Sequence, residues 1–221
     1  MLEHVIERAQ AAQTLDEVVV ATTDCEEDDE IEQVAQGLSV STFRGSEHDV
    51  LDRYYEAARV YDADPIVRLT ADCPLLDPKE IDRIVKRFTQ AADVDYVGTG
   101  ITYPEGYGTE VFTFEALCQA WENASLESEC EHVTSYIWKR DDQFSVERID
   151  LSEDWSGFRV TVDHPEDLKV VSEIVSNLPS NDNFFGIDEV VKYLGNNPSV
   201  AKKNSYIPDY EGYYISRKSE K

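Results

Sequence analysis

Two aspartates stand directly after predicted buried strands, where they could hold a metal ion. Asp72 follows the apolar run 66–70, and Asp163 follows the run 159–162. Ligands of open α/β sheets bind beyond the carboxyl ends of the strands. Carboxylate oxygens there can hold Mg²⁺ while the ion bridges substrate phosphates. The pattern predicts a divalent-metal site, and one alternative stays open, because Asp163 could instead cap a helix that starts at Pro165.

A short turn at 44–46 offers a second kind of chemistry. It combines an arginine, a glycine and a serine at the start of a predicted helix, which suits a phosphate or the edge of a nucleobase. The plainer interpretation is a capped turn, with Ser46 as the N-cap and Asp49 three residues later in a variant of the capping box. Alternation along the next strand places Arg68 on the same side as Asp72.

The remaining motifs are weaker. His132 lies on or just before a predicted helix, and a single histidine is more often structural than substrate-binding. The glycine pairs at 98–100 and 106–108 are not a dinucleotide fingerprint, and the sequence has no P-loop, nucleophile elbow or kinase signature. The four cysteines lack metal-ligand spacing and are expected to be buried thiols: Cys25, Cys73, Cys118 and Cys130.

Hydrophobic periodicity predicts strands that alternate with helices. Strands are expected at 18–21, 38–43, 66–70, 95–97, 110–114, 144–149 and 158–162. Helices are expected at 2–12, 30–36, 46–61, 78–92, 115–123, 129–139, 165–177 and 187–194. This alternation is typical of an α/β fold with a mostly parallel sheet.

We expect one α/β domain over residues 1–197, followed by a tyrosine-rich tail over 198–221. The tail is predicted to be extended and to pack on the domain or on a second subunit. Its tyrosines are Tyr206, Tyr210, Tyr213 and Tyr214.

The charge of the chain excludes several classes of function. The 221 residues include 46 Asp and Glu against 20 Lys and Arg, which gives a formal net charge of −26. Such a surface repels nucleic acid, and no basic stripe offsets it. No apolar run approaches the roughly 18 residues of a membrane span, and the first residues do not resemble a signal peptide, so we expect a cytoplasmic protein. The dispersed acids favour a halophile with molar salt in its cytoplasm, where the Debye length falls to about 3 Å, over a basic partner.

Several segments resemble the cytidylyltransferase family that activates acidic sugars as CMP-sugars, and in particular its spore-coat polysaccharide branch. They lie at 43–55, 67–75, 131–134, 159–168 and 211–213. The resemblance implies a nucleotide-diphospho-sugar transferase sandwich. It also implies a reaction in which a sugar hydroxyl attacks the α-phosphate of CTP and releases pyrophosphate.

The same resemblance implies roles for particular residues. Asp72 and Asp163 occupy the positions of the family's two Mg²⁺ ligands. Three residues would face the nucleotide, namely Arg44, Ser46 and Arg68, and two would face the sugar, namely Glu110 and His132. Relatives commonly pair, so a homodimer is an expectation.

One departure from the family pattern concerns the triphosphate. Members normally begin with a strand and a loop of the form R-x-x-S-x-R-L-P-x-K, whereas this sequence opens on the helix that follows. That strand would lie near the middle of the sheet, so without it two strand edges are unpaired. We expect either a start codon further upstream or a non-catalytic remnant that binds a partner or dimerises. A glycosyltransferase, or a transferase for another nucleotide, is a third alternative on the same fold.

Overall fold

The computed structural model describes residues 1–179, 184–208, 211–218 and 220. The strands in these ranges are β1 (Val19–Thr23), β2 (Ser41–Gly45), β3 (Ile66–Arg68), β4 (Tyr96–Thr99), β5 (Glu110–Phe112) and β6 (Val146–Ile149). They form a two-stranded sheet of β1 and β2 and a four-stranded sheet in the order β3-β5-β4-β6. The pairs β1–β2 and β4–β6 are parallel as expected, whereas β5 runs antiparallel to both of its neighbours. The fold is therefore α/β with mixed sheets, and each of the first six predicted strands overlaps an observed one.

The seventh predicted strand, 158–162, is wrong, because this segment joins neither sheet. It is an extended segment that makes one isolated bridge, between Arg159 and Glu105. The Val160 N–H donates to the carbonyl oxygen of Glu105 at 2.7 Å, and the Val162 N–H donates to that of Asp72 at 2.9 Å. Carbonyl oxygens of loop residues thus accept the backbone hydrogen bonds of a segment that the sequence pattern assigns to a strand.

Helices cover both faces of the sheets. They are α1 (Leu2–Ala11), α2 (Asp29–Gly37), α3 (Val50–Val60), α4 (Pro78–Gln90), α5 (Phe114–Asn123), α6 (Glu127–Glu131), α7 (Ser135–Trp138), α8 (Pro165–Asn177), α9 (Ile187–Asn196), α10 (Pro198–Ala201) and α11 (Glu211–Lys218). Side chains of β4 and β5 alternate between the two faces. Tyr96 and Phe112 pack towards Leu117 of α5, while Val97 and Val111 pack towards Ile84 of α4. No helix within the described ranges is both long and apolar enough to cross a membrane.

The start of α3 corrects the prediction that Ser46 is its N-cap. The N-cap is Asp49, whose carboxylate accepts the N–H of Asp52 at 2.9 Å. Ser46 lies one turn earlier, and its Oγ accepts the N–H of Asp49 at 3.0 Å. Asp49 takes the cap because it stands immediately before the first helical residue, Val50.

The predicted helix at 129–139 is also wrong, because it is broken into α6 and α7. The break follows His132, at Val133, whose φ of 50° lies in the left-handed region. Val133 is fully buried in the core beside α5, so packing holds the backbone in a conformation that a β-branched residue rarely adopts.

The tail packs on the domain as expected, but it is not extended, because it contains two short helices with turns after the first of them. It forms α10 and α11, and α11 contacts α6 of the domain. Tyr210 lies outside the described residues. Of the four cysteines, Cys73 alone is buried, and the other three are partly exposed thiols.

A cleft of about 660 Å³ separates the two sheets. Residues 18–21 at β1 and 66–71 at β3 line it, together with one face of α3. Among the described strands, β1 pairs with β2 alone and β3 pairs with β5 alone, so each has one unpaired edge.

Candidate active site

The two predicted metal-binding aspartates lie beside each other beyond the end of β3. The carbonyl oxygen of Asp72 accepts the Val162 N–H, which places it one residue from Asp163, and also accepts the Thr161 hydroxyl at 3.3 Å. Burial and the nearby charge of Asp72 raise the pKa of Asp163. Two carboxylates that repel each other at a sheet edge are suited to share a cation.

Asp163 does not cap the helix that follows it. The N-cap of α8 is His164, and Pro165 is the first helical residue. The carboxylate of Asp167 takes the capping role, since it accepts the N–H groups of His164 at 3.0 Å and of Asp163 at 3.1 Å. The side chain of Asp163 is therefore left for another partner and remains 45% exposed.

That partner is Arg159, a cation that sequence analysis missed. Its side chain is only 3% exposed, and it contacts Asp163 at 2.5 Å, Glu105 at 2.5 Å and Asp167 at 3.0 Å. One guanidinium is shared among three carboxylates, and Asp72 adds a fourth negative charge nearby. Negative charge therefore exceeds positive charge at this cluster.

The two aspartates fit a magnesium ion that is also held by substrate. No group of three or more His, Cys, Asp or Glu residues that could hold a metal ion occurs among the described residues. Mg²⁺ is commonly bound through one or two carboxylates, and waters and substrate phosphates complete its shell. Asp72 and Asp163 supply that number of carboxylates, with oxygen as the donor atom that Mg²⁺ prefers.

A second cluster surrounds Glu110, which lies opposite Arg68 in the β3–β5 pair. Its carboxylate accepts hydrogen bonds from Arg68 Nη1 at 2.6 Å, from the Tyr96 hydroxyl at 2.7 Å and from the Thr134 hydroxyl at 2.6 Å. The Arg68 and Glu110 side chains are 17% and 15% exposed. The structure thus joins a residue predicted to face the nucleotide to one predicted to face the sugar.

His132 lies near this cluster but turns towards the C-terminal helix. Its Nε2 lies 2.9 Å from Ser216 Oγ of α11, and its ring centre is 5.3 Å from that of Tyr213. Burial and the charge of Arg68 lower the pKa of His132, so the ring is neutral at pH 7. At its other end, α11 contacts His164 through Glu211 at 2.7 Å. This helix therefore borders both clusters, a contact that the predicted extended tail did not suggest.

Arg44 holds the connection between β1 and α2. Its guanidinium donates to the carbonyl oxygens of Thr23 and Cys25, and it pairs with Asp29 at 3.0 Å and Glu32 at 2.9 Å. Within the described part of the chain, neither Arg44 nor Ser46 makes a hydrogen bond or ion pair with the aspartate pair. Their role towards a nucleotide stays a prediction.

Comparison with known proteins decides the family. A model of the cytidylyltransferase family matches residues 1–204. This chain belongs to the cytidylyltransferase family. An uncharacterized protein of Methanocaldococcus jannaschii is 36% identical over 211 residues, which cover 94% of this chain and 84% of that protein.

Two further proteins are similar to this chain over most of their length. The spore coat polysaccharide biosynthesis protein SpsF of Bacillus subtilis is 31% identical over 192 residues, which cover 84% of this chain and 78% of SpsF. The structure of a cytidylyltransferase from Leptospira borgpetersenii superposes with a TM-score of 0.85 at 31% identity, covering 90% of this chain and 84% of that one. The fold is that of the nucleotide-diphospho-sugar transferases, as the resemblance implied.

Proposed function

We propose that this protein transfers CMP from CTP to the hydroxyl of a sugar and releases pyrophosphate. The observation that carries the proposal is the Asp72–Asp163 pair, whose negative charge exceeds the cations around it, on the fold of a cytidylyltransferase. The similarity to SpsF supports a role in surface polysaccharide or glycan synthesis. An acidic sugar is proposed from the resemblance to the CMP-sugar-forming branch.

Mg²⁺, held by Asp72 and Asp163, would neutralise charge on the phosphates of CTP and so favour attack at the α-phosphate. The residues of this chain prepare that site. Arg159 fixes the Asp163 carboxylate from the buried side and leaves its exposed side for the cation. Arg68 is held by Glu110, so the guanidinium stays in one orientation at the end of β3.

The test is pyrophosphate release from CTP in the presence of Mg²⁺, molar KCl and a panel of acidic and neutral sugars. Asp72→Asn should abolish release with every sugar that supports it. Asp142→Asn is the matched control, because Asp142 is an exposed aspartate that belongs to neither cluster. Retained activity in Asp72→Asn would show that the metal assignment is wrong.

The cleft between β1 and β3 favours a second candidate function, a non-catalytic module that binds a partner. Unpaired strand edges are ready to accept an extended segment of another chain. A stable protein with no CTP-dependent thermal shift in Mg²⁺ and high KCl would favour this candidate. Competition among CTP, UTP and GTP separates cytidylyl transfer from the chemistry of another nucleotide.

A further inference from the structure

Arg53 of α3 is a cation without an acidic partner among the residues that the structure describes. It lines the cleft and its Nη1 donates to the carbonyl oxygen of Ser46 at 2.6 Å. Its Nε is buried and has no hydrogen-bond partner in the described ranges. The other arginines of the region are paired with carboxylates, as Arg44, Arg68 and Arg159 show.

This difference is informative because the chain carries a net charge of −26. Arg8 also pairs with no carboxylate in the described ranges, but it is buried in the core and donates to two carbonyl oxygens, whereas Arg53 lines the open cleft. A partly buried guanidinium with an unused N–H is costly unless something else accepts that hydrogen bond. An anionic ligand in the cleft would accept it.

The position of Arg53 relative to the aspartates points to the same ligand. The charges of Arg53, Arg68 and Asp72 all act on the buried hydroxyl of Tyr54, so the three residues lie near this hydroxyl. The Tyr54 hydroxyl lies 3.5 Å from the carbonyl oxygen of Leu69, at the end of the cleft beyond β3. Arg68 also lines this end, and its Nε is likewise buried without a partner.

We propose that Arg53 binds the triphosphate of the nucleotide from the cleft, while Asp72 and Asp163 would hold Mg²⁺. The inference rests on the proposed function and adds to it a phosphate-binding residue. Arginine suits this role because its planar fork can donate two parallel hydrogen bonds to phosphate oxygens. Its contact with Ser46 fixes the side chain, so the remaining donors are already oriented.

The experiment compares the binding of CTP and of cytidine by calorimetry, in Mg²⁺ and KCl. Arg53→Gln should weaken CTP binding about 10- to 100-fold, as expected for hydrogen bonds to a charged group, and should leave cytidine binding unchanged. Arg53→Lys keeps the charge without the fork and should recover part of the CTP affinity. Arg59→Gln is the matched control, since Arg59 lies on the exposed side of the same helix and pairs with Glu56.

A purely structural role of Arg53 would lower the affinities for CTP and cytidine together, and that result would overturn the proposal. Equal CTP affinity in Arg53→Gln and the wild type would also overturn it. If Arg53→Gln does not fold, the test is the ratio of the affinities of Arg53→Lys for CTP and for cytidine. A ratio equal to that of the wild type would contradict the proposal.

Inorganic tripolyphosphate separates this proposal from the proposed function. If the wild type does not bind CTP, the proposed function fails. Tripolyphosphate binding that Arg53→Gln weakens would then still support an anion site at Arg53. No tripolyphosphate binding, or tripolyphosphate binding that Arg53→Gln does not change, would overturn the Arg53 proposal, whereas the proposed function is decided by CTP binding alone.

Discussion

The carboxylates of the Glu110 cluster and of the aspartate pair differ in how fully their charge is matched. Glu110 accepts hydrogen bonds from three side chains, one of them the guanidinium of Arg68. Asp163 receives only a share of Arg159, and its pKa is raised by burial and by Asp72. The Glu110 carboxylate thus has a guanidinium of its own, whereas the carboxylates around Asp163 share the single guanidinium of Arg159.

This comparison assigns Glu110 a role in supporting the site and the Asp72–Asp163 pair a role in binding a ligand. The Arg68–Glu110 ion pair fixes the position of β3 against β5, and its carboxylate gains little free energy when a ligand binds. The repulsion between the Asp72 and Asp163 carboxylates lowers the stability of the protein, and a bound cation relieves this repulsion. Substitutions in the two clusters should therefore affect different measurements.

The largest effect on folding is expected at Glu110. Glu110→Gln removes the charge opposite the buried guanidinium of Arg68, and it should lower the free energy of unfolding by about 3 kcal/mol. Glu122→Gln, on the exposed face of α5, should change it by less than about 0.5 kcal/mol. Urea unfolding measures both. Equal stability of the two variants would mean that the Glu110 cluster does not hold the fold.

The aspartate pair should show the reverse behaviour. Asp163→Asn should reduce pyrophosphate release at least about 100-fold, because loss of a metal ligand exceeds the 10- to 100-fold loss typical of the residues that orient ligands. Its free energy of unfolding should fall by no more than about 1 kcal/mol, since Asp163 is half exposed and its repulsion with Asp72 is removed. A large loss of stability with activity retained would contradict the distinction between the clusters.

The smallest of the expected effects is that of salt concentration on stability. Molar KCl should raise the melting temperature of the wild type, because it screens repulsion among exposed acids in a chain of net charge −26. The cost of Glu110→Gln should change little with KCl, since that pair is mostly buried. A protein that is best folded in dilute buffer and loses structure in molar KCl would instead favour a basic partner as the reason for the acidity.

Local patterns in the sequence predicted much of this molecule. The run of β-branched and apolar residues predicted β1, and Asp77 before Pro78 predicted the start of α4, where the carboxylate accepts the Lys79 N–H at 2.9 Å. The position of Asp72 and Asp163 after extended segments predicted that they lie together. Each of these inferences needs only neighbours in the chain.

The failures arise where distant residues decide the conformation or the partner. Packing of Val133 in the core breaks the predicted helix. Arg8 of α1 is buried and donates to the carbonyl oxygens of Leu76 and Phe185, contacts that the helical periodicity of residues 2–12 does not reveal. The pairing of Arg68 with Glu110 depends on strand register, which a segment-by-segment analysis does not supply.

Calorimetric titration of CTP into the wild type, with Mg²⁺ and then with EDTA, tests the central claim most directly. We predict that CTP binds in Mg²⁺, that binding is lost in EDTA, and that Asp72→Asn in Mg²⁺ behaves like the wild type in EDTA. CTP binding of equal affinity under all three conditions would contradict the assignment of Asp72 and Asp163 as the ligands of a catalytic metal.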